Sequence, residues 1–328
     1  MRLAVVGAGA VGRSVVELAG EYGHEVVAVA DSSSAVVADG TGDRSPGVDA
    51  DAVVARKAER GIVGDADPAD ALAAEYDALV EATPTTLGDA EPGFSHVTAA
   101  LERDRHAVLA NKGPVAERFG DLRAAEADSA GEVRFEATVG GAMPVLSTIE
   151  DHGAAHVAAV RGVLNGTANF VLSRMAAEGL DYEHVLAEAQ DLGVAEADPA
   201  FDVDGTDAAL KCVILANVLS FGAADDPADA REFTLDDADV AGIRNVAGSA
   251  LDLAGEDGLT VRLIGEVAGG SVRVAPRLVK RNSPLAVSRT TNAAQIETAS
   301  AGTLTVSGRG AGGEETASAV LMDLNRLS

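Results

Sequence analysis

The feature that most constrains the fold is a glycine pattern near the N-terminus, set between an apolar run and a helix-like segment. Residues 3–6 form a short apolar run, as in a buried strand. The sequence GAGAVG follows at residues 7–12, and helical spacing then continues to Gly23. A second apolar run, residues 25–30, ends at Asp31. A strand, a glycine turn, a helix and a second strand in this order predict a right-handed βαβ unit.

The glycines in this turn have separate steric roles in binding a dinucleotide. Gly7 permits the tight turn, Gly9 lets the backbone approach a pyrophosphate, and Gly12 lets the helix pack closely on the strand. We expect the pyrophosphate at the helix N-terminus, against the unpaired backbone N–H groups of the turn, which include those of Ala10 and Val11. The sequence therefore predicts a dinucleotide site in the first thirty or so residues.

The end of the second strand should face the adenosine ribose. Asp31 would accept hydrogen bonds from the ribose hydroxyls, which favours NAD over NADP. Three serines follow Asp31, however, and Arg56 or Lys57 could reach a 2′-phosphate. The pattern leaves both cofactors open.

Further strands and helices alternate beyond this unit. Residues 78–80 and 107–109 read as strands with helices between them, whereas residues 32–50 read as a loop near the adenosine end. The fold class is therefore α/β, with a Rossmann-like, doubly wound parallel sheet. We assign this domain to residues 1–131, completed by a last helix within 304–328. A second, α+β domain, with a helix from about Pro144, would occupy residues 132–303.

The composition excludes several classes of partner. The chain of 328 residues carries 52 acidic and 25 basic side chains, a formal net charge of −27, so we expect no nucleic acid and no membrane as partner. With 47% apolar residues it should fold. An acidic coat of this kind is typical of salt-loving organisms, and we expect a halophilic archaeal source. A single cysteine, no leader-like N-terminus and no apolar run of membrane-spanning length indicate a cytoplasmic protein.

Three segments concentrate polar groups in the rest of the chain. Residues 110–114 (ANKGP) directly follow an apolar strand, at the carboxyl end where open α/β sheets bind ligands. Residues 165–169 (NGTAN) form the second segment, and residues 196–211 form the third. Only four lysines occur in the chain, and two of them, Lys112 and Lys211, lie in these segments. The scarcity of lysine favours a chemical role for these two more than it would in an ordinary chain, with a solvated surface position as the alternative.

These segments, in this order, resemble the homoserine dehydrogenase family. The resemblance runs through GAGAVG, ANKGP, EATVGGAMP, GVLNGTANF, AEADPAFDVDGTDAALK and GRGAGGEETASAVLMDL, and so covers nearly the whole chain. It implies reduction of L-aspartate 4-semialdehyde to L-homoserine with NADPH or NADH, in threonine, methionine and isoleucine biosynthesis. It also implies a homodimer formed through the second domain, in a single-function form without a C-terminal regulatory domain.

The resemblance implies roles for the polar segments, and the chemistry agrees with it. Hydride addition to an aldehyde leaves charge on oxygen, so an acid or a cation should lie beside that oxygen. Lys211 would be the proton donor, with Asp207 one turn earlier to orient it, and Lys112 would be a second cation near the carbonyl and the nicotinamide. Glu196 would bind the substrate ammonium, and Asp202 and Asp207 would complete the pocket. The alternative for Asp207 and Lys211 is an ordinary surface i, i+4 pair.

The resemblance implies two further sites. EATVGGAMP would bind a monovalent cation, which is Na⁺ in the family, through Glu136 and the carbonyls of Val139, Gly141 and Met143; the alternative is a glycine turn before a helix. A second glycine turn, residues 308–312, would approach the nicotinamide half of the cofactor. The remaining cofactor contacts would come from these positions: Thr83, Gly312 and Thr316.

Two other functions stay open at this point. One is another NAD(P)-dependent amino-acid dehydrogenase on the same scaffold, and the other is a dinucleotide-binding regulator without catalysis. His152 and His156 lack a third ligand for a zinc site, so we expect both on the surface. Cys212 is expected at a buried helix position, because hydride transfer requires no thiol.

Overall fold

The structure is a computed structural model, which describes residues 1–38 and 46–327. The chain divides into two compact units, Met1–Ala142 with Ala311–Ser328, and Met143–Gly310. The sequence-based boundaries lay at 131/132 and 303/304. In both divisions the C-terminal helix belongs with the N-terminal segment.

The first unit is built on a mostly parallel sheet in the order β3-β2-β1-β4-β5-β6. Strands β1, β2, β4, β5 and β6 run parallel, and only β3 is antiparallel, against β2. The predicted α/β class is confirmed. The strands of this unit are β1 (Arg2–Val6), β2 (Glu25–Ala30), β3 (Ala35–Val37), β4 (Ala78–Glu81), β5 (His106–Leu109) and β6 (Val133–Arg134).

Helices cover both faces of this sheet, because its strands are apolar on both sides. One buried cluster joins Leu3, Val5 and Val80 to residues 317–324, and another joins Ala4, Val6 and Leu79 to residues such as Tyr76. The helices are α1 (Ala10–Leu18), α2 (Ala50–Arg60), α3 (Pro68–Ala73), α4 (Gly93–Leu101), α5 (Gly113–Glu117), α6 (Phe119–Ala127) and α13 (Gly313–Leu324).

Two stretches of the first unit differ from the prediction. The segment 32–50, read as a loop, contains strand β3, whose backbone pairs with β2; its residues 39–45 lie outside the described part. The stretch VRFEATV, read as strand-like, is a strand only at Val133–Arg134. It then turns at Glu136–Thr138, because the N–H groups of Thr138 and Val139 bond to the carbonyls of Phe135 and Glu136 instead of a neighbouring strand.

The second unit is a mixed sheet in the order β12-β11-β7-β9-β10-β8 with helices packed on it. All its pairings are antiparallel except that of β8 with β10. The strands are β7 (Val157–Val163), β8 (Ala238–Val240), β9 (Leu259–Ala268), β10 (Ser271–Lys280), β11 (Thr291–Thr298) and β12 (Gly302–Arg309). The helices are α7 (Val145–His152), α8 (Gly166–Glu178), α9 (Tyr182–Asp191), α10 (Ala200–Val203), α11 (Thr206–Ala223) and α12 (Gly248–Glu256).

Helix α11 is the central helix of this unit. It packs on β9 and β10, and its residues from Asp207 to Asn217 are all buried. In length and composition it is the one helix of the described chain that could cross a membrane, but its 18 residues are not an unbroken apolar run, since they include Asp207 and Lys211. Its burial within the second unit is that of a core helix of a soluble protein.

Candidate functional site

The second unit holds a buried ion pair in the first turns of α11. Lys211 Nζ lies 2.6 Å from Asp207 Oδ2, and the two side chains are only 6% and 10% exposed. Lys211 Nζ also donates to the carbonyl of Leu164, at 2.7 Å. An ammonium has three N–H donors, and these two hydrogen bonds use two of them. A surface pair would be solvated, so the burial excludes the ordinary i, i+4 interpretation.

Asn165 connects this pair to a second carboxylate. Its Oδ1 accepts the backbone N–H of Ala168 and so caps helix α8. Its Nδ2 donates both to Asp202 Oδ1, at 2.6 Å, and to Asp207 Oδ2, at 2.9 Å. Asn165 begins the polar NGTAN segment, but the sequence pattern gave this residue no role of its own. Its signal was the helix-capping position at the start of the NGTAN segment.

The remaining carboxylates of the third polar segment lie closer to solvent. Glu196 is exposed, and its backbone carbonyl accepts a hydrogen bond from Gln190. Asp204 pairs with Arg244, and both side chains are nearly half exposed, as expected for a solvated acidic residue. Asn165 thus joins Asp202 to the Asp207–Lys211 pair. Glu196 lies at the surface of the same unit.

The phosphate loop of the first unit has the steric features that its glycines predict. A Cβ at Gly12 would lie 1.7 Å from the carbonyl oxygen of Gly7, and one at Gly7 would lie 2.3 Å from the backbone of Ala82. Gly7 also has φ +106, which favours glycine. A Cβ at Gly9 would meet nothing within 4 Å, so the space in front of this turn is open. The N-terminus of α1, from Ala10, faces the same turn without a side-chain cap.

Asp31 is engaged on both carboxylate oxygens. Oδ1 accepts the backbone N–H groups of Ser33 and Ser34, each at 2.8 Å, and both serine hydroxyls. Oδ2 lies 2.7 Å from Lys57 Nζ. Burial alone would raise the pKa of Asp31, but the hydrogen bonds from Lys57, Ser33 and Ser34 outweigh it and lower the pKa to about 2. Arg56, the other candidate for a 2′-phosphate, pairs with Asp65.

The ANKGP segment forms the turn between β5 and α5. Lys112 is half-buried at the N-cap of α5, and its backbone N–H donates to Thr85 Oγ1 at 3.3 Å. Asn111 Nδ2 donates to Thr83 Oγ1 at 3.0 Å. The turn after β4, which carries Thr83, and the turn after β5, which carries Lys112, are therefore bonded to each other at the carboxyl end of the sheet.

The segment proposed for cation binding begins with the turn at Glu136–Thr138. Glu136 is 3% exposed, and its backbone N–H donates to Asp323 Oδ2 at 2.7 Å. Burial raises the pKa of Asp323 to about 7. Val139 and Gly141 belong to the first unit, and Met143 is the first residue of the second. Among the described residues, no group of three or more His, Cys, Asp or Glu side chains could hold a metal ion.

The second glycine turn closes β12. Gly310 packs so tightly on Asn292 that a Cβ would lie 1.8 Å from the Asn292 amide nitrogen. Gly312 has φ +137 and stands at the N-cap of α13, and Thr316 N–H donates to the Gly312 carbonyl at 3.1 Å. A Cβ at Gly310 would therefore clash with Asn292, and the positive φ of Gly312 favours glycine there.

The two histidines and the cysteine that were given no catalytic or metal-binding role lie where the sequence predicted. His152 and His156 are both exposed. Cys212 is fully buried in α11, and burial raises the pKa of its thiol to about 12, which makes it unreactive as a nucleophile.

Comparison with known proteins gives one family for most of the chain. Residues 144–324 match the sequence family described as homoserine dehydrogenase. Residues 1–87 match the family described as glutamate/leucine/phenylalanine/valine dehydrogenase, a match confined to the dinucleotide-binding segment. A homoserine dehydrogenase of Methanocaldococcus jannaschii is 42% identical over 252 residues, which is 76% of this chain and 72% of that protein. An NAD(+)-dependent homoserine dehydrogenase of Pseudomonas canavaninivorans is 39% identical, over 76% of this chain and 70% of that protein.

Solved structures agree over nearly the full length. The crystal structure of a putative homoserine dehydrogenase from Archaeoglobus fulgidus has a TM-score of 0.87 and 40% identity, and covers 99% of this chain and 98% of that one. A hyperthermophilic archaeal homoserine dehydrogenase in complex with NADPH has a TM-score of 0.80 at 25% identity, over 99% of this chain and 96% of that one. The matched motifs, the buried lysine and these similarities lead to one conclusion: the chain belongs to the homoserine dehydrogenase family.

Proposed function

We propose that this NAD(P)-dependent homoserine dehydrogenase reduces L-aspartate 4-semialdehyde to L-homoserine with Lys211 as the proton donor. The observation that carries the assignment is the buried Lys211–Asp207 pair, with one ammonium N–H left for a ligand. A bound reduced nicotinamide would supply the hydride for the aldehyde carbon. Lys211 gives a proton to the oxygen as charge develops there, and in the reverse direction it takes that proton back.

Substrate binding follows from the carboxylates around this pair. An amino-acid substrate carries an ammonium, which Asp202 and Glu196 would bind, with Asp207 contributing to the same polar pocket. The exposure of Glu196 fits a residue that meets a ligand arriving from solvent. Lys112, at the carboxyl end of the first unit's sheet, would be the second cation for the reacting carbonyl and the nicotinamide.

Dinucleotide binding would use the open space in front of Gly9 and the uncapped N-terminus of α1. The pyrophosphate would bind there to the backbone of Gly7, Ala10, Val11 and Gly12. Thr83 would contact the cofactor through its backbone, and Gly312 and Thr316 would approach the nicotinamide half from the second glycine turn. Asp31 would meet the adenosine ribose. Because Lys57 already neutralises Asp31, both NAD and NADP remain candidates.

The proposed role of Lys211 is tested by Lys211→Ala and Lys211→Gln. Loss of a positioned acid typically costs about 10²- to 10⁴-fold in rate, so we expect kcat to fall by that order while the dinucleotide still binds. Lys280→Ala removes an exposed lysine from the same unit and serves as the control. Retention of turnover in Lys211→Gln would remove Lys211 from this role.

The cofactor preference is tested by kcat/KM for NADH and NADPH with aspartate semialdehyde in high salt. Asp31→Asn would leave Lys57 without its carboxylate partner and should shift the preference towards NADPH. An unchanged ratio in this variant would exclude Asp31 from reading the 2′ position. No turnover of aspartate semialdehyde with either cofactor, while another amino-acid substrate is accepted, would favour the alternative dehydrogenase.

The cation site remains part of the proposal. The buried carboxylate of Glu136 and the backbone carbonyls would supply only oxygen donors, which suits a hard cation such as Na⁺. Glu136 and the carbonyls of Val139, Gly141 and Met143 would hold it and stabilise the turn before α7. Replacing NaCl with tetramethylammonium chloride at constant ionic strength separates a bound cation from bulk screening. Equal stability in both salts would argue against the site.

We also propose that the protein is a cytoplasmic homodimer of a halophilic organism. The family assignment supports the dimer, and the charge of −27 supports the halophilic source. Multi-angle light scattering in high salt decides the oligomeric state. A monomeric mass would contradict the dimer.

A further inference from the structure

A fully buried carboxylate in the first unit has no part in the mechanism above. Glu81 is the last residue of β4 and is 0% exposed. A carboxylate is rarely buried so completely unless several donors bind it. The turns that follow β4 and β5 supply those donors, and these turns carry the proposed cofactor and substrate contacts.

Both oxygens of Glu81 are engaged. Oε1 accepts the backbone N–H of Thr83 at 3.0 Å, the Thr83 hydroxyl, and Asn111 Nδ2 at 3.4 Å. Oε2 lies 2.7 Å from His96 Nδ1, on helix α4. A carboxylate only accepts hydrogen bonds, so an ionised Glu81 requires His96 Nδ1 to be the donor in this contact. The carboxylate is therefore the common acceptor for three separate segments of the first unit.

The same residues connect the two turns to each other. Asn111 donates to the Thr83 hydroxyl and accepts the N–H of Gly113 at 2.9 Å. The Glu81 carbonyl accepts the N–H groups of Ala110 at 2.9 Å and Asn111 at 3.3 Å. Lys112 thus lies between two residues, Asn111 and Gly113, whose hydrogen bonds lead back to Glu81.

We propose that Glu81 is a positioning residue for hydride transfer: its buried carboxylate fixes the Thr83 turn and the Lys112 turn in the arrangement that the reaction requires. This inference rests on the proposed roles of Thr83 and Lys112. Displacement of reacting groups by about 1 Å can cost on the order of 10²-fold in rate. The carboxylate suits this role because it is acceptor-only, so it can bind the Thr83 N–H, the hydroxyl, the amide and the imidazole together.

Glu81→Gln is the test, because it keeps the size of the side chain and removes the charge. Its amide oxygen can still face Thr83, but its amide nitrogen must then face His96, which has to change tautomer. We expect kcat to fall by about tenfold or more. The Kd for NADH should change much less than kcat, because the phosphate loop, which would supply most of the dinucleotide contacts, is unaltered. The chain has no Trp, so NADH fluorescence reports this binding without interference from tryptophan.

Glu126→Gln is the matched control. Glu126 also binds a backbone N–H, that of Val133 at 2.6 Å, but at the amino end of the sheet. It should lower stability without changing kcat. A purely structural role for Glu81 would give the same result, so equal kcat in Glu81→Gln and the wild type would overturn the proposal.

Two further measurements keep the test decisive. In a double-mutant cycle, Glu81→Gln and Asn111→Ser should be strongly non-additive in kcat, because the two side chains act through one network. Where Glu81→Gln does not fold, Asn111→Ser alone should show the loss of kcat, and wild-type kcat there would refute the proposal. Failure of the wild type to reduce aspartate semialdehyde would instead overturn the proposed function.

Discussion

At the scale of single residues, the second unit places two carboxylates and an ammonium in a region with little solvent. Separating one charge from such a set leaves its partner buried and unpaired, which costs about 3–5 kcal/mol. The Asn165 side chain helps to hold the two carboxylates in this region. Its Oδ1 caps α8, and its Nδ2 donates to both Asp202 and Asp207. One side chain therefore serves both the helix and the proposed active site.

The two ends of Asn165 can be separated by substitution. Asn165→Ser keeps a good capping residue but removes the amide donor between the carboxylates. We expect a moderate loss of stability, about 1–2 kcal/mol, and a larger loss of kcat, because Asp207 no longer orients Lys211 as before. Asn165→Asp also keeps the cap but places a third carboxylate beside two others, and should be the more damaging change.

Steady-state kinetics and urea unfolding of both variants check this order. Asp181→Ser is the control, because Asp181 caps α9 through the same hydrogen bond without reaching the carboxylates. Wild-type kcat in Asn165→Ser would show that the amide bridge has no part in catalysis.

Asp31 gives a prediction about pH. Its pKa is lowered to about 2 in the folded protein from an ordinary value of 3.8. A lowered pKa stabilises the folded state above the unfolded value, and this contribution disappears as pH falls through the folded value. Asp31→Asn should therefore lose about 2 kcal/mol at pH 5 to 7, and about half of that difference at pH 3.

Urea titrations across this range measure the difference. Glu59→Gln removes an exposed carboxylate from α2, the helix that carries Lys57, and should show no comparable dependence. A stability difference between the wild type and Asp31→Asn that stays constant down to pH 3 would mean that the ionised form of Asp31 is not what stabilises the folded state.

At the scale of elements, periodicity and turn residues were sufficient for most of the fold. The strand, glycine turn and helix at residues 2–18 were predicted because a single segment contains all their determinants. Strand β3 was missed because its order comes from pairing with β2, and β11 because it is held between β7 and β12. Asn165 and Glu81 were missed for the same reason: each also bonds to side chains that are distant in sequence.

The packing of α11 on the sheet gives a prediction at this scale. A Cβ at Gly265 of β9 would lie 2.5 Å from Cys212 Sγ and 3.3 Å from Leu164. Gly265→Ala should therefore push α11 outwards, costing about 1–3 kcal/mol. Because Cys212 adjoins Lys211 and Leu164 supplies the carbonyl that Lys211 binds, kcat should fall as well.

A compensating change tests this explanation. Cys212→Ala removes the sulfur, so Gly265→Ala combined with Cys212→Ala should recover most of the stability and of kcat. Gly248→Ala is the control, since a Cβ there would meet nothing within 4 Å. If the double variant is no better than Gly265→Ala alone, the contact with Cys212 is not what limits the packing of α11.

At the scale of the whole molecule, the excess of negative charge is the main influence on how stability depends on salt. The chain carries 52 acidic against 25 basic side chains, so its acidic groups have too few cations to pair with. Many arginines already hold one or two carboxylates, as Arg161 does with Glu266 and Glu297. The unpaired excess repels itself, and this repulsion opposes the compact state.

Salt should therefore stabilise this protein more than it stabilises a neutral one. The Debye length falls from about 10 Å at 0.1 M to about 3 Å at 1 M, which screens most pairs of surface charges. We expect the Tm to rise by at least about 5 °C between 0.1 and 3 M KCl, since each kcal/mol recovered is worth roughly 2 °C in a chain of this size.

Sucrose, which strengthens burial without screening charge, is the control and should raise the Tm less at matched osmolality. A Tm that rises equally in both solutes would show that burial, and not the relief of repulsion, carries the effect, and the argument for a halophilic source would lose its basis.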